Sequence, residues 1–167
     1  MKHFKGNRAQ KAETGPWRSV SGNRPLSPAI RVANRQRKVR VDPAALEEFA
    51  KRALRRCLRF HRNRPTELTK LRELFVWLVS DRRVAQLHRQ FLGQSGPTDV
   101  LTFQHGEIFV SVETARRRAR EFGSSLQREV CLYIVHGLLH LHGFDDKTPR
   151  AARKMAKTQQ EILHGSL

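Results

Sequence analysis

The sequence predicts an α/β or α+β domain, a single sheet packed by helices. Three observations carry this. Apolar periodicity alternates between strand and helix spacing in the order strands, helix, strand, helix, two strands, helices. A length of 167 residues suits one domain with one core. No internal repeat, and no apolar run near the roughly 18 residues a membrane span needs, breaks that order.

Residues 1–26 read as a basic tail. They hold Gly6, Gly15, Pro16, Gly22 and Pro25 and no hydrophobic periodicity, a composition expected to be disordered. They lack the apolar core of a secretory signal. Residues 27–167 are the domain. Ala29–Asn34 and Lys38–Val41 alternate apolar with polar, which predicts a hairpin or two neighbouring strands turning at 34–37. Asp42 then caps a helix with Pro43 at its first position. Leu46, Phe49, Ala50, Ala53, Leu54, Cys57 and Leu58 give it an apolar face. Lys51, Arg52, Arg55, Arg56 and Arg59 form the opposite one, a solvated face or a stripe that meets phosphates.

Leu71–Val79 is a strongly apolar strand. Ser80-Asp81 starts a helix to about Phe91, with Val84, Leu87, His88 and Phe91 along one side. A loop leads to a strand over 99–104, Gly106 turns the chain, and 107–112 is a further strand. Residues 113–121 are helical and end at Gly123. An apolar helix runs from Leu126 to about His142, and a last one from Pro149 to Leu163 covers the core with Met155 and Ile162.

Charge bounds the partners. The formal net charge is +18 with a pI near 11.5. Such a field favours a polyanion such as RNA over a membrane partner. Two lone cysteines, Cys57 and Cys131, form neither a disulfide framework nor a metal pattern. They read as core thiols of a reducing, cytoplasmic compartment.

The chemistry concentrates at His136-Gly137-Leu138-Leu139-His140-Leu141-His142-Gly143-Phe144-Asp145-Asp146. Histidines four apart stack on one helix face, close enough to share a metal. Gly143 stands where a helix ends in a left-handed residue, and the turn brings Asp145 or Asp146 back toward the pair. Two imidazoles and one carboxylate leave zinc an open position, as catalytic sites do. Asp146 falls ten residues after the first histidine, the place of the third ligand in longer zinc-helix motifs. It is the preferred third ligand, with Asp145 a cap or supporting partner. His142 lies about 200° round the helix from His140 and points away from the pair. Metallopeptidases of this spacing carry glutamate after the first histidine as general base. Here that residue is Gly137.

The stretch 136–146 resembles the signature of the YbeY family, the single-strand-specific endoribonucleases of rRNA maturation. Its pattern is His-Gly-x-Leu-His-Leu-x-Gly-Tyr-Asp-His. The match holds at His136, Gly137, Leu139, His140, Leu141, Gly143 and Asp145, with Phe144 for tyrosine. Asp146 replaces the last histidine, the family's third zinc ligand. Gly96-Pro97-Thr98-Asp99-Val100-Leu101-Thr102-Phe103 is similar to the family's Pro-Thr-Asp-Val-Leu-Ser-Phe, and Gly106-Glu107-Ile108 to its Gly-Asp-Ile. The family arginine that is thought to hold RNA near the metal is Leu92 here, in Phe91-Leu92-Gly93-Gln94. His88 stands where the family often has asparagine.

The resemblance implies a mixed sheet of about four strands with the metal site on a buried helix. It implies one zinc ion, and cleavage of RNA (rRNA, the ribosomal subunit) in rRNA processing and ribosome quality control. No side chain is an evident general base. Two rivals remain. One is a metallopeptidase-like hydrolase on the histidine spacing; the other is a non-catalytic ribosome-associated RNA-binding protein with a structural metal.

Overall fold

A computed structural model describes residues 27–60, 65–93 and 98–167. The basic segment 1–26 and the stretches 61–64 and 94–97 lie outside the described residues. Four strands form one sheet, β1 (Ala29–Asn34), β2 (Glu73–Val79), β3 (Val100–Phe103) and β4 (Glu107–Ser111). Their spatial order is β1-β2-β4-β3. β1 and β4 run parallel to β2, and β3 runs antiparallel to β4, so the sheet is mixed.

The elements form for local reasons. Asp42 Oδ1 accepts from the Ala44 and Ala45 amides and opens α1 (Pro43–Cys57). A short helix, α2 (Glu67–Lys70), is too brief to leave a periodic signal. Ser80 caps α3 (Asp81–Leu92), and Ser111 caps α4 (Val112–Glu121). α5 (Leu126–Leu141) is buried along most of its length, and Thr148 caps α6 (Pro149–Ser166). One sheet face presents Ile30, Val32, Leu74, Val76, Leu78, Ile108 and Val110 to α1 and α5 in the main core, and α6 packs against those two helices. α3 covers only one end of the other face, sealing Val79 and Leu101 under Val84 and Leu87.

The predicted strand over 38–41 does not form. The Gln36 side chain takes the place of a partner strand. Its Nε2 donates to the Val39 carbonyl at 2.8 Å, and its Oε1 accepts from the Val39 amide at 2.9 Å. A local side chain thereby satisfies the backbone groups a ladder would have used. On the outer edge of β1, the Val32 amide donates to Glu47 Oε2 of α1 at 3.0 Å. The basic face of α1 is only partly solvated. Arg52 Nε donates to the Ser166 carbonyl at 2.8 Å, and the Arg56 guanidinium lies against Gly165. Both cations thus serve the C-terminal end of α6, where the helix dipole favours them.

Cys57 and Cys131 are buried, and burial pushes the Cys131 thiol up to about 12. Among the described residues no helix is long and apolar enough to cross a membrane.

Asp81 ties the starts of α3 and α4 together. It accepts from the Ser111 hydroxyl, the Thr114 amide and hydroxyl, and the Arg117 guanidinium. Burial pushes its carboxyl upward, but these donors outweigh burial and hold it below the usual carboxylate range. A lowered native pKa means the stabilisation is complete above the ordinary aspartate value near ~3.9 and fades as pH falls through the native pKa. Asp81→Asn is therefore expected to cost about 1–2 kcal/mol at pH 7, after allowance for its one-third exposure. Urea melts at pH 7 and pH 3 test this; the gap between variant and native chain narrows in acid.

Candidate metal centre

α5 ends as its sequence dictates. Gly143 adopts φ 81°, the left-handed region glycine enters without strain. The Phe144 amide reaches back to the Leu139 carbonyl at 2.9 Å and the Gly143 amide to His140 at 3.0 Å. This closing turn satisfies the last carbonyls and reverses the chain across the histidine face. It also delivers a carbonyl: His140 Nδ1 donates to the Phe144 oxygen at 3.2 Å.

His136 and His140 turn their Nε2 atoms toward each other, 2.9 Å apart. His136 Nδ1 donates to Gln159 Oε1 of α6 at 2.9 Å. A carbonyl only accepts, so each Nδ1 carries the proton and each Nε2 presents its lone pair. Two lone pairs this close repel, and a cation shared between them removes the repulsion. The Asp146 carboxylate completes the group, with one donor atom from each residue and all three within 4.8 Å of one another. Two imidazole nitrogens and a carboxylate oxygen are a donor set zinc accepts, and the partners that hold each Nδ1 are those expected behind metal-bound histidines. Burial, aided by His136, pulls His140 below its ordinary value against the smaller upward pull of Asp146. The ring is thus neutral, the form that ligates.

Asp145 Oδ1 accepts from the Lys147 amide at 3.3 Å, and the residue lines the cleft. His142 does point away from the pair. It is buried, with Nε2 donating to the Phe60 carbonyl at 2.8 Å and Nδ1 accepting from Thr66 at 3.1 Å. It ties the helix end to the segment before α2. Nothing in the sequence spacing marks Gln159 or the Phe144 carbonyl, because both reach the site through chain reversal.

The pair opens into a cleft of about 710 Å³ between α5, α3 and β3. Its walls include His88, Glu67, Lys147 and residues 100–104. Leu92 is the last residue of α3. Gly137 lies against the sheet. A Cβ there would stand 2.8 and 2.9 Å from the methyls of Ile108 and 3.0 Å from Thr102 Oγ1. The peptidase glutamate therefore has no room at this position.

Known proteins resemble this chain in sequence and fold. A family model described as Endoribonuclease YbeY matches residues 31–166. A Myxococcus xanthus protein named Endoribonuclease YbeY is 36% identical over 104 residues, 54% of this chain and 35% of its own length. An Anaeromyxobacter protein of the same name is 38% identical over 100 residues, 54% of this chain and 52% of its own. A third, from Moorella thermoacetica, is 38% identical over 112 residues, 56% and 72% respectively. The matches thus span a third to about half of the length of the first two relatives. A Thermotoga maritima protein solved in solution has a similar fold, with a TM-score of 0.58 and 28% identity over 82% of this chain and 88% of that one.

Proposed function

This chain belongs to the Endoribonuclease YbeY family, and from that premise we propose that it is a zinc-dependent endoribonuclease that cuts single-stranded RNA in rRNA maturation. One observation carries the reading: the Nε2 atoms of both imidazoles meet at one point beside the Asp146 carboxylate, while each Nδ1 lies against a carbonyl oxygen. His136, His140 and Asp146 would hold one zinc ion. When bound, zinc supplies Lewis-acid stabilisation of charge on a phosphoryl oxygen.

The protein's own residues do the rest. Gln159 and the Phe144 carbonyl fix the two ring orientations. Lys147, on the cleft wall, places a cation where a phosphate would enter. The +18 charge, five units of it net from segment 1–26 (Lys2, Lys5, Arg8, Lys11, Arg18 and Arg24 against Glu13), concentrates a polyanion around the site. The expected setting is the cytoplasm and the ribosomal subunit, where such RNA is found.

The metallopeptidase reading lacks its base, since Gly137 admits no glutamate. The test is single-stranded RNA incubated with the purified protein, with and without chelator, beside casein. RNA cut only in the metal-loaded sample, with casein intact, is the expected outcome; cleavage of casein alone overturns the reading. A 2′,3′-cyclic phosphate on the 5′ product would assign the attack to the RNA's own 2′-hydroxyl. Products with 5′-phosphate ends would remove that route.

A further inference from the structure

The sheet face away from α5 carries a row of aromatic side chains that the metal centre does not use. β2 contributes Phe75 and Trp77, β4 contributes Phe109, and β3 contributes Phe103. Phe75 and Trp77 stack at 5.7 Å, Trp77 and Phe109 at 6.5 Å. Phe109 and Phe103 meet edge to face at 5.7 Å, and Phe103 meets Phe91 in the same way at 5.2 Å. The His105 ring stacks on Phe103 at 5.5 Å. The register aligns them across the strands: Trp77 opposes Phe109, and Phe75 and Phe103 flank Glu107. Trp77, Phe103 and Phe109 pack along the small cluster that α3 seals at the Val79–Leu101 end. All four strand aromatics are nevertheless only half-buried among the described residues, and Phe91 is 57% exposed.

From this row we infer a second contact surface for single-stranded RNA, on which bases stack beside the cleft. The inference rests on the RNA reading above. Every base has a π face, so a run of aromatic rings binds single strands without choosing sequence. Cations interleave with the rings, as phosphates require. The Arg35 guanidinium lies 5.1 Å over the Trp77 ring, and Arg31 stands beside Phe75 on β1. The acid in the middle, Glu107, is already engaged by Trp77 Nε1 at 2.9 Å and His105 Nε2 at 2.8 Å. Glu73 lies at the margin, ahead of Phe75 on the same strand face.

Phe103 makes the surface continuous with the metal centre. It belongs to the row and lines the cleft that holds His136 and His140. A strand cut at the metal would cross the β3 edge and lay its flanking bases on the row. From β3 to β2 is two strand spacings, about 10 Å, enough for two or three unstacked nucleotides. The +18 charge selects a polyanion and opposes a second copy of the chain on this face.

The test uses the full chain with Trp17→Phe, so that Trp77 alone fluoresces. A labelled oligouridine of about ten nucleotides is the probe, in chelator, so that binding is read without cleavage. Stacking quenches Trp77. Phe75→Leu with Phe109→Leu keeps apolar volume and removes π faces. The pair is expected to weaken oligouridine binding roughly 10- to 100-fold. The slope of affinity against salt and the metal content stay as in the native chain.

Absence of Trp77 quenching, with equal affinity in the folded double variant, overturns the inference. So does a change from dimer to monomer in that variant, which would assign the face to a second copy. The quench in the otherwise native chain decides the matter if the double variant fails to fold. A chain that cuts RNA but shows no quench fails only here. A chain that neither binds nor cuts RNA fails the functional reading itself.

Discussion

Asp146→Ala is expected to strip zinc from the purified protein and abolish RNA cleavage. The argument is one of donor count. His136 and His140 face one point from one helix, and two neutral nitrogens fix neither charge nor geometry around a dication. Asp146 is the only anion within 4.8 Å of both imidazole donors among the described residues. Losing a partner behind a ligand typically costs about 10- to 100-fold in metal affinity, so losing the ligand itself costs more than about 100-fold. Asp145→Ala is expected to stay within about 10- to 100-fold, because its carboxylate holds the Lys147 amide. Metal analysis and a competition titration with a chelating dye measure both variants. Metal lost from Asp145→Ala and kept by Asp146→Ala would reverse the assignment. His136→Ala, if folded and still cutting RNA, would move the catalytic centre elsewhere and leave the metal a structural part.

Gly137→Glu, which would supply the missing peptidase base, is expected instead to unfold the domain around α5. A Cβ at this position already collides with Ile108 and Thr102. Gly137→Ala alone should cost about 1–3 kcal/mol by overpacking. A glutamate adds an unpaired charge pressed onto a buried strand, for more than about 3 kcal/mol in all. Since α5 bears both histidines, metal affinity falls with stability. Ile108→Val removes one of the two colliding methyls, so pairing it with Gly137→Ala should recover part of the loss non-additively. Urea melts of the single and double variants give the coupling. Native-like stability in Gly137→Ala would mean that α5 slides freely on the sheet.

Much of the fold and of the candidate site's geometry is legible in the residues alone. The spacing of His136 and His140 places them on one helix face, and Gly143 ends the helix, because helix periodicity and a left-handed cap are local properties. Asp42, Ser80 and Gly123 mark helix ends for the same reason. What the sequence hides depends on distance along the chain or on competition. Residues 38–41 alternate like a strand, yet Gln36 outcompetes a partner for Val39. Gln159 reaches His136 only because α6 folds back over α5. The spacing turns His142 away from the pair, but what engages it, Phe60 and Thr66, depends on a segment some eighty residues earlier. β2 reads as a strongly apolar strand, and the structure leaves its Phe75 and Trp77 only half-buried on the face that α3 partly covers.

The carboxylate of Glu47 on the rim of β1 bears on how the protein behaves when crowded. An edge strand whose amides face outward is a template for another chain, and open-ended pairing of such edges is how soluble proteins begin to aggregate. Here the Val32 amide is already spoken for, and an incoming strand would have to displace an anion to pair. The Val32 hydrogen bond, with help from Lys51, keeps that carboxyl below its ordinary range, so the anion persists into mild acid. Were a chain of net charge +18 to gather on polyanions at high local concentration, it would thus carry its own barrier against growing into a fibre from that side.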